Sequence, residues 1–500
     1  MPAFWAVRAF WNLAAFWGER VKVVVIGGGI AGLAAAHALS GRADVTVVES
    51  APRLGGKLRT SPMGGSGPAA ELEVEEGAES FLARVPEGTR LARRVGLGHD
   101  IVHPATTSAS VVVGGVPRPL PTGTMLGIPT DALALARSRV LSPAGLARAA
   151  ADLVLPRTDA GADPAVGDYV GARLGRQLVE RLVDPLLGGV YAGRADRLSL
   201  RATVPQLVPI LAEDRSLLLG ARRVRARTAP APPGASVPVF ASVRGGLGRL
   251  VAAVAETSGA TIRTGLTARA LIPAGAGWLV EATTAGPADA GGGVGETLGA
   301  DAVVLAVPAP AARRLLETVA PRSARALVGV PYASVALVTL VYGGGPGTLP
   351  PPGSGFLVPP TEPTMIKAAT FLTSKWPETA GGSGLTVVRA SVGRAGDDAD
   401  LRRSNQELAG VAAAEIAAIT RAAGSALAAR PIASRVSRWG GGLPQYLPGH
   451  LDRVAAARAG LPPGLLLAGA GYDGVGIPAC IRSGEAAAEA AVEAVLPAAR

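Results

Sequence analysis

Gly27, Gly29 and Gly32 stand at GxGxxG spacing, and Glu49 follows the first of them by about 20 residues. Glycines so spaced have separate jobs: the first two allow a tight turn and a close backbone approach to a pyrophosphate, and the third lets a helix pack onto a strand. The amides of Gly28, Gly29, Ile30 and Ala31 then point at phosphates together with the positive end of a helix dipole. An acidic side chain at Glu49, with Ser50 beside it, reaches a ribose hydroxyl pair. Such a pattern works only in its setting, and here the setting is present. Residues 23–26 form a short apolar run, a small-residue helix follows the glycines, and a β-branched run over 45–48 ends on the acid. The order is β-α-β, which separates this stretch from a glycine-rich turn without a ligand.

Directly beside this site, Arg53-Leu54-Gly55-Gly56-Lys57-Leu58-Arg59 places a second glycine pair among cations. A second close approach of backbone, with added positive charge, suits a bulky, doubly charged cofactor. The R-x-G-G-(x)-x-R pattern after a βαβ unit resembles the flavin-dependent amine oxidase superfamily, in which it lies along the FAD pyrophosphate; the resemblance favours FAD over NAD. The resemblance assigns Arg53, Gly55, Gly56 and Lys57 to the cofactor. Gly77-Ala78-Glu79-Ser80 follows an expected strand over 70–76, a place where backbone can touch a flat ring.

Five hundred residues suggest two or three domains with ample core. A composition of 48% hydrophobic and 17% charged residues excludes a chain disordered as a whole. The formal charge of +11 is carried mostly by arginine, with no Lys/Arg block interleaved with aromatics. A nucleic-acid partner is therefore not expected, which leaves an acidic small molecule or weak association with an anionic membrane surface. Cys480 is the only cysteine, which rules out an intramolecular disulfide and a Cys-rich metal site; no metal is expected, and a cytoplasmic protein fits. Ala-Phe-Trp recurs at 3–5, 9–11 and 15–17, a hexad that advances about 240° per repeat on a helix and builds no single apolar face. Residues 1–20 read as a non-globular extension without a secretory cleavage signal, an interfacial anchor being the other reading. No apolar run elsewhere reaches membrane-spanning length.

Along the chain, residues 88–97 read as a helix and 111–113 with Gly114-Gly115 as the start of a hairpin. From Thr130 to about Arg222 leucines recur at helical spacing, which marks a separate helical domain. Within it, residues 184–193 read as a Pro- and Gly-rich bend between helices. Gly189-Val190-Tyr191-Ala192-Gly193 resembles the G-V-Y-A-G signature of the porphyrinogen oxidases, the protoporphyrinogen and coproporphyrinogen oxidases, in which the bend faces the substrate. A plain helix–helix turn is the alternative. Residues 220–238 read as an exposed linker, with Arg222, Arg223, Arg225 and Arg227 a solvated run. Residues 261–271 read as one alternating strand, and the resemblance puts the backbone of Ala268 at the adenine. Residues 301–308 match the family's A-D-x-V-(x)-x-A-x-P, and 309–435 alternate helix and strand.

The last long motif, LLLAGAGYDGVGIPACIRSG over 465–484, ends a strand, crosses in a glycine loop and starts a helix near Pro478 that aims its dipole at the flavin. In the family, backbone around Val475, Gly476 and Ile477 contacts the isoalloxazine, with Ala470 beside it. Trp439 stacks nearby in some members; a core tryptophan is the other reading. Cys480 reads as a small buried hydrophobe rather than a redox centre. The expected fold class is α/β: a Rossmann-like FAD-binding domain assembled from 21–90, 236–308 and 437–500, an α+β substrate domain from 91–122 and 309–436, and an inserted helical domain with linker over 123–235.

The resemblance covers residues 21–495 and implies oxidation of a porphyrinogen in haem biosynthesis. Hydride leaves a bridging methylene for FAD, a pyrrole nitrogen loses a proton, and O2 reoxidises the flavin to give H2O2, in three rounds. The cofactor carries the redox chemistry, so no Ser-His-Asp set or paired acid and base need stand out. Gly189, by family position, would place its carbonyl over the substrate and accept from pyrrole N–H groups. Plant and animal protoporphyrinogen oxidases carry an Arg-Phe pair, whose arginine holds a propionate, just before the strand corresponding to 111–113. Here that neighbourhood is Ser108-Ala109-Ser110, so the anchor is missing. Coproporphyrinogen III, with four propionates, fits this departure and the arginine surplus. Protoporphyrinogen IX is the alternative, an amine oxidase or a non-catalytic flavin- and porphyrin-binding protein the more distant ones. Arg84 and Arg194 are the candidates for holding carboxylates, and transient contact with other haem-pathway enzymes is a further expectation.

Overall fold

A computed structural model describes residues 20–227, 238–284, 294–344, 350–380, 383–425, 427 and 430–495. The expected extension, apart from residue 20, and the part of the expected linker beyond Arg227 but for its last residue lie outside them. Along the chain, β1 (Lys22–Ile26), α1 (Ile30–Ala38) and β2 (Asp44–Glu49) form the anticipated unit, and β3 (Ser110–Val113) and β4 (Val116–Pro119) a hairpin. A mainly helical stretch from Ala132 to Arg227 contains α2 (Asp184–Tyr191); β5 (Thr261–Thr264), β6 (Leu266–Ala274) and β7 (Ala302–Leu305) follow. Then come β8 (Tyr332–Tyr342), β9 (Gly355–Leu357), β10 (Ile366–Phe371), β11 (Thr386–Val392), β12 (Ala433–Pro444), β13 (Leu465–Leu467) and α3 (Ile477–Val495).

One sheet has the order β5-β2-β1-β7-β13, with every pair parallel. Residues 23–26 of β1 are buried because a central parallel strand is covered on both faces, which is why it reads as an unbroken apolar run. The chain leaves β1 toward β2 on one side, while β7 flanks it on the other. The crevice beyond the carboxyl ends of β1 and β7 is thus a topological switch point, where open α/β sheets bind ligands. The second large sheet has the order β12-β8-β11-β10-β9-β3-β4. It buries Val338, Leu340 and Phe371 on one side against the helix Asn405–Ala422 and turns its other side to the crevice. The third core is helical, with Leu178, Leu182, Leu187 and Leu198 fully enclosed.

Four local expectations change. The strand expected over 70–76 is only Glu73–Glu75, because tight turns close from Gly67 to Ala70 and from Ala69 to Leu72. The strand expected over 261–271 is two, since Gly265, at φ +69°, turns the chain out of the parallel sheet into an antiparallel one. Residues 184–191 are helix rather than bend: Pro185 sits in the first turn, and Ala192, in the left-handed region at φ +51°, ends it. The linker begins late, since Leu217–Arg227 is a helix whose Leu217, Ala221 and Val224 face the helical core at i, i+4 and i+7. Its arginines are not all solvated: Arg223 pairs with Asp214 at 2.5 Å and Arg225 donates to Thr130 Oγ1 at 2.7 Å.

Two buried charge clusters hold these parts. In the helical core Arg173 Nε meets Asp152 at 2.6 Å, and Asp152 also accepts from Ser216 Oγ and the Leu218 amide. Between the sheets, Glu79 accepts from Lys375 Nζ at 2.6 Å and from the Arg389 guanidinium, fastening the chain after β2 to the second sheet. Arg173→Ala leaves a fully buried carboxylate without its counter-ion. It is expected to lower stability by about 3–5 kcal/mol, read as a drop in the thermal midpoint. Burial alone would raise the Glu79 carboxyl, but Arg389 and Lys375 outweigh it and hold it at about 2. A depressed carboxyl stabilises above its unfolded pKa and loses that contribution as the pH falls through its folded one. The advantage of wild type over Glu79→Gln, about 3 kcal/mol near neutrality, is therefore expected to shrink as the pH falls from about 5 toward 2. Melting curves of both proteins across that range test it; an advantage independent of pH would contradict it.

Candidate functional site

The crevice is a cavity of about 840 Å³ between the two sheets. Its first wall is the glycine turn. Gly27 takes φ +112° where a Cβ would lie 2.5 Å from Ala306 O, and a Cβ on Gly32 would lie 2.0 Å from Gly27 O. Gly29 differs: no atom stands within 4 Å of where its Cβ would be, so the first amides of α1 face open space. Such a cradle, at the positive end of a helix, accepts a phosphate. Gly55 N bonds Gly28 O at 2.8 Å, which brings the second glycine pair alongside the first. Glu49 accepts from Gly28 N and Ala51 N, each at 2.7 Å, and with Ser50 lines the cavity at the end of β2.

The second wall is the carboxyl-terminal motif. Ala470, Val475, Gly476 and Ile477 line the cavity at the start of α3. Tyr446 holds their loop, its hydroxyl donating to Ala470 O at 2.5 Å and accepting from Gly474 N at 2.9 Å while its ring stacks on His450 at 4.0 Å. Ser483 Oγ accepts from Gly469 N at 2.8 Å. Burial pushes the Tyr446 hydroxyl far above its ordinary range and, with Arg453, pulls His450 down to about 4, so this support stays neutral.

Gly27, Gly29, Ile30, Ala31, Gly55, Gly56, Lys57, Gly77, Ala78, Ser80, Ala268 and Trp439 all line the cavity, as does Gly189. A bulge between Ala268 and Ala270 lifts Arg269 out of its ladder beside the expected adenine position. Gly28, Gly32, Arg53 and Glu79 do not line it. Gly28 serves Glu49, Gly32 allows the helix to close on the turn, and Glu79 is taken up by its ion pairs. Arg53 donates to Leu54 O and Gly56 O at 3.0 and 2.9 Å, so it shapes the second glycine loop from behind. Trp439 donates its indole N–H to Glu76 O at 2.6 Å and presents its ring to the cavity. Cys480 also borders it; burial raises its thiol to about 11, which keeps it protonated.

The half walled by the second sheet carries Val335, Leu337, Lys367, Arg389, Ser391 and Leu443, with Gly189 and Val190 of α2 opposite. Arg84 and Arg194 do not face it: Arg84 is exposed on the surface, and Arg194 pairs with Asp196 at 3.3 Å beside a separate small recess. The residues missed are Lys367 and Arg389. Each is a single cation inside an otherwise apolar strand, IKAATF and TVVRASV, and that interruption was the available signal. Among the described lining residues Glu49 is the only carboxylate, and no histidine is present. Among the described lining residues no acid–base pair for hydrolysis stands; a glycine cradle at a helix start, an acid at the end of β2, a second glycine pair and the start of α3 meet at one cavity, which together fit a dinucleotide bearing a ring system.

The family described as flavin containing amine oxidoreductase matches residues 30–492. The chain is 38% identical over 478 residues to a coproporphyrinogen III oxidase of Mycobacterium bovis, covering 94% of this chain and 97% of that one. It is 32% identical to a protoporphyrinogen oxidase of Homo sapiens, covering 93% and 97%. A solved structure from Exiguobacterium sp. 255-15 superimposes with a TM-score of 0.79 at 31% identity, over 95% of this chain and 100% of that one. FAD is the cofactor. The protein belongs to the flavin containing amine oxidoreductase family.

Proposed function

We propose that the protein oxidises coproporphyrinogen III to coproporphyrin III in the cytoplasm, with O2 as acceptor. The observation that carries this reading is the shape and chemistry of the space beside the flavin cradle: an apolar slot, basic at its sheet wall, with its one carboxylate at the ribose end. Relatives named coproporphyrinogen III oxidase, such as those of Mycobacterium bovis and Bacillus subtilis, support it. FAD, when bound, would supply the acceptor for a hydride from a bridging methylene, with a pyrrole nitrogen releasing the accompanying proton and O2 taking the two electrons and two protons as H2O2, three times per macrocycle. The chain supplies position. Gly189 lies in the last turn of α2, where helix carbonyls lack intrahelical donors, so its carbonyl is suited to accept from a pyrrole N–H. Val335, Leu337, Leu443 and the Trp439 ring form a wall that excludes water from the reacting face.

The same reading gives the cofactor contacts expected from Gly27 through Ile477 to the residues that line the cavity, and the division into FAD-binding, substrate and helical domains, with β12 running across the 436/437 boundary. No helix among the described residues is long and apolar enough to cross a membrane, and weak membrane-surface contact or transient contact with other haem-pathway enzymes belongs to this proposal as well.

Purified protein mixed under air with coproporphyrinogen III, and separately with protoporphyrinogen IX, is expected to speed porphyrin fluorescence over spontaneous oxidation, and to do so more with the tetracarboxylate. No gain with either refutes the reading, and H2O2 from a polyamine instead revives an amine oxidase. Gly29→Val tests the cradle. A Cβ at this position meets nothing within 4 Å beyond its chain neighbours and its own helix backbone, so the fold is expected to stand while flavin affinity falls more than about tenfold, read from bound-flavin absorbance.

A further inference from the structure

Five cations line the cavity, and their partners differ. Arg389 donates to Glu75 O, Gly77 O and the Glu79 carboxylate. Arg269 donates to Thr283 Oγ1 beside Ala268, Arg314 belongs to the helix Ala309–Leu316 packed on β6, and Lys57 stands in the second glycine loop. Lys367 is the exception. It is 6% exposed, and its ammonium has one acceptor, Gly393 O at 2.7 Å, with no carboxylate within ion-pair distance among the described residues. A buried cation without a counter-ion is costly unless something completes it.

The backbone also singles it out. Ile366 pairs with Val392 and Ala368 with Ser391, so Lys367 is the extra residue of a bulge in β10. Bulges of this kind re-aim a side chain beside a functional site. Ser391, on the neighbouring strand and the same cavity wall, offers a hydroxyl. The charges on the elements packed around Lys367 leave it unneutralised. Arg389 and Arg394 carry its own sign, Asp184 of α2 accepts from the Ala195 amide, and Glu415 accepts from the Met365 and Ile366 amides at 2.8 and 3.0 Å.

We propose that Lys367 is the counter-ion for a carboxylate of the substrate, a carboxylate-bearing tetrapyrrole, in the half of the cavity walled by the second sheet. The assignment rests on the porphyrinogen oxidation proposed above and names the group that selects an acidic macrocycle. Burial and then Arg394 pull the free lysine down to about 7. It is charged below that pH and neutral above it, and a bound carboxylate holds its proton. Substrate affinity is therefore strongest below about pH 7 and weakens as the pH rises past it, by up to about tenfold per pH unit.

The test measures KM and kcat for coproporphyrinogen III from about pH 6 to 9 with flavin-loaded wild type, Lys367→Met and Lys367→Arg. Lys367→Met is expected to raise KM about thirtyfold or more near pH 6 with kcat within about twofold. Lys367→Arg keeps a low KM and abolishes its rise above about pH 7, because guanidinium does not titrate there. Binding of coproporphyrin III, followed by tryptophan quenching, makes the same comparison without turnover. An unchanged KM and pH profile in Lys367→Met overturns the proposal. So does a loss of kcat at constant KM, which marks a proton acceptor, and so does loss of flavin or of the fold, which marks a structural lysine bracing Gly393. Absence of turnover in wild type removes the porphyrinogen reading; equal coproporphyrin binding by wild type and Lys367→Met removes the lysine assignment separately.

Discussion

The structure depends on how closely α1 is allowed to approach its neighbours. A Cβ on Gly32 would lie 2.0 Å from Gly27 O, and a Cβ on Gly484 would lie 2.0 Å from Ala31 O. One contact seats the helix on the turn that follows β1; the other seats α3, from the far end of the chain, on α1. Neither tolerates a methyl group without displacement of backbone. Their joint effect is to bring two glycine-rich segments, more than four hundred residues apart in sequence, to one slot. The alanines between them, Ala34, Ala35, Ala36, Ala487, Ala488 and Ala491, are buried and small, so helix-on-helix packing continues without bulky side chains.

That constraint explains which parts were legible in the sequence. The cofactor half is written in backbone, and backbone requirements leave short, ordered marks: glycines where a Cβ has no room, an acid at the end of a strand, a helix start after a loop. Residues 27–32, 49–57 and 470–477 could be placed for that reason. The four marked residues that miss the cavity, Gly28, Gly32, Arg53 and Glu79, show the limit of the pattern. A motif records everything needed to build a site, including the groups behind it, and does not say which of them touch the ligand. Arg53 bracing Gly56 O and Glu79 gripping Lys375 are support of that kind.

The substrate half was less legible for a physical reason. Its wall is made of alternate side chains from strands that meet only in the folded sheet, so nothing in the sequence links the i, i+2 pair Val335 and Leu337 to the pair Arg389 and Ser391. Lys367 reaches it through a bulge, an irregularity of register that has no fixed residue signature. The segment 184–191 misled in another way. Its proline and glycines suggested a bend, yet a proline in a helix's first turn is well tolerated, and tertiary packing of Leu187 and Tyr191 on the helical core outweighs the glycine propensity. Carrying Gly189 on a helix rather than a loop fixes its carbonyl near the terminus of a rigid element.

The distribution of charge along the cavity follows from these two modes of construction. On the reading proposed above, Glu49 would face a ribose, which has hydroxyls to donate and no negative charge, so a carboxylate there would be met by hydrogen bonds rather than by repulsion. Nearer the second sheet the ionisable lining groups are the bases Lys367 and Arg389 and the phenol of Tyr332, which burial pushes to about 12 and so keeps neutral. An amine substrate would enter a field of its own sign there, and a polyanion would enter one of the opposite sign. In a water-poor slot that difference is amplified by the low dielectric. On the reading proposed above, the side chains of a sheet that contributes nothing to the glycine cradle would turn the site from cationic substrates toward acidic ones.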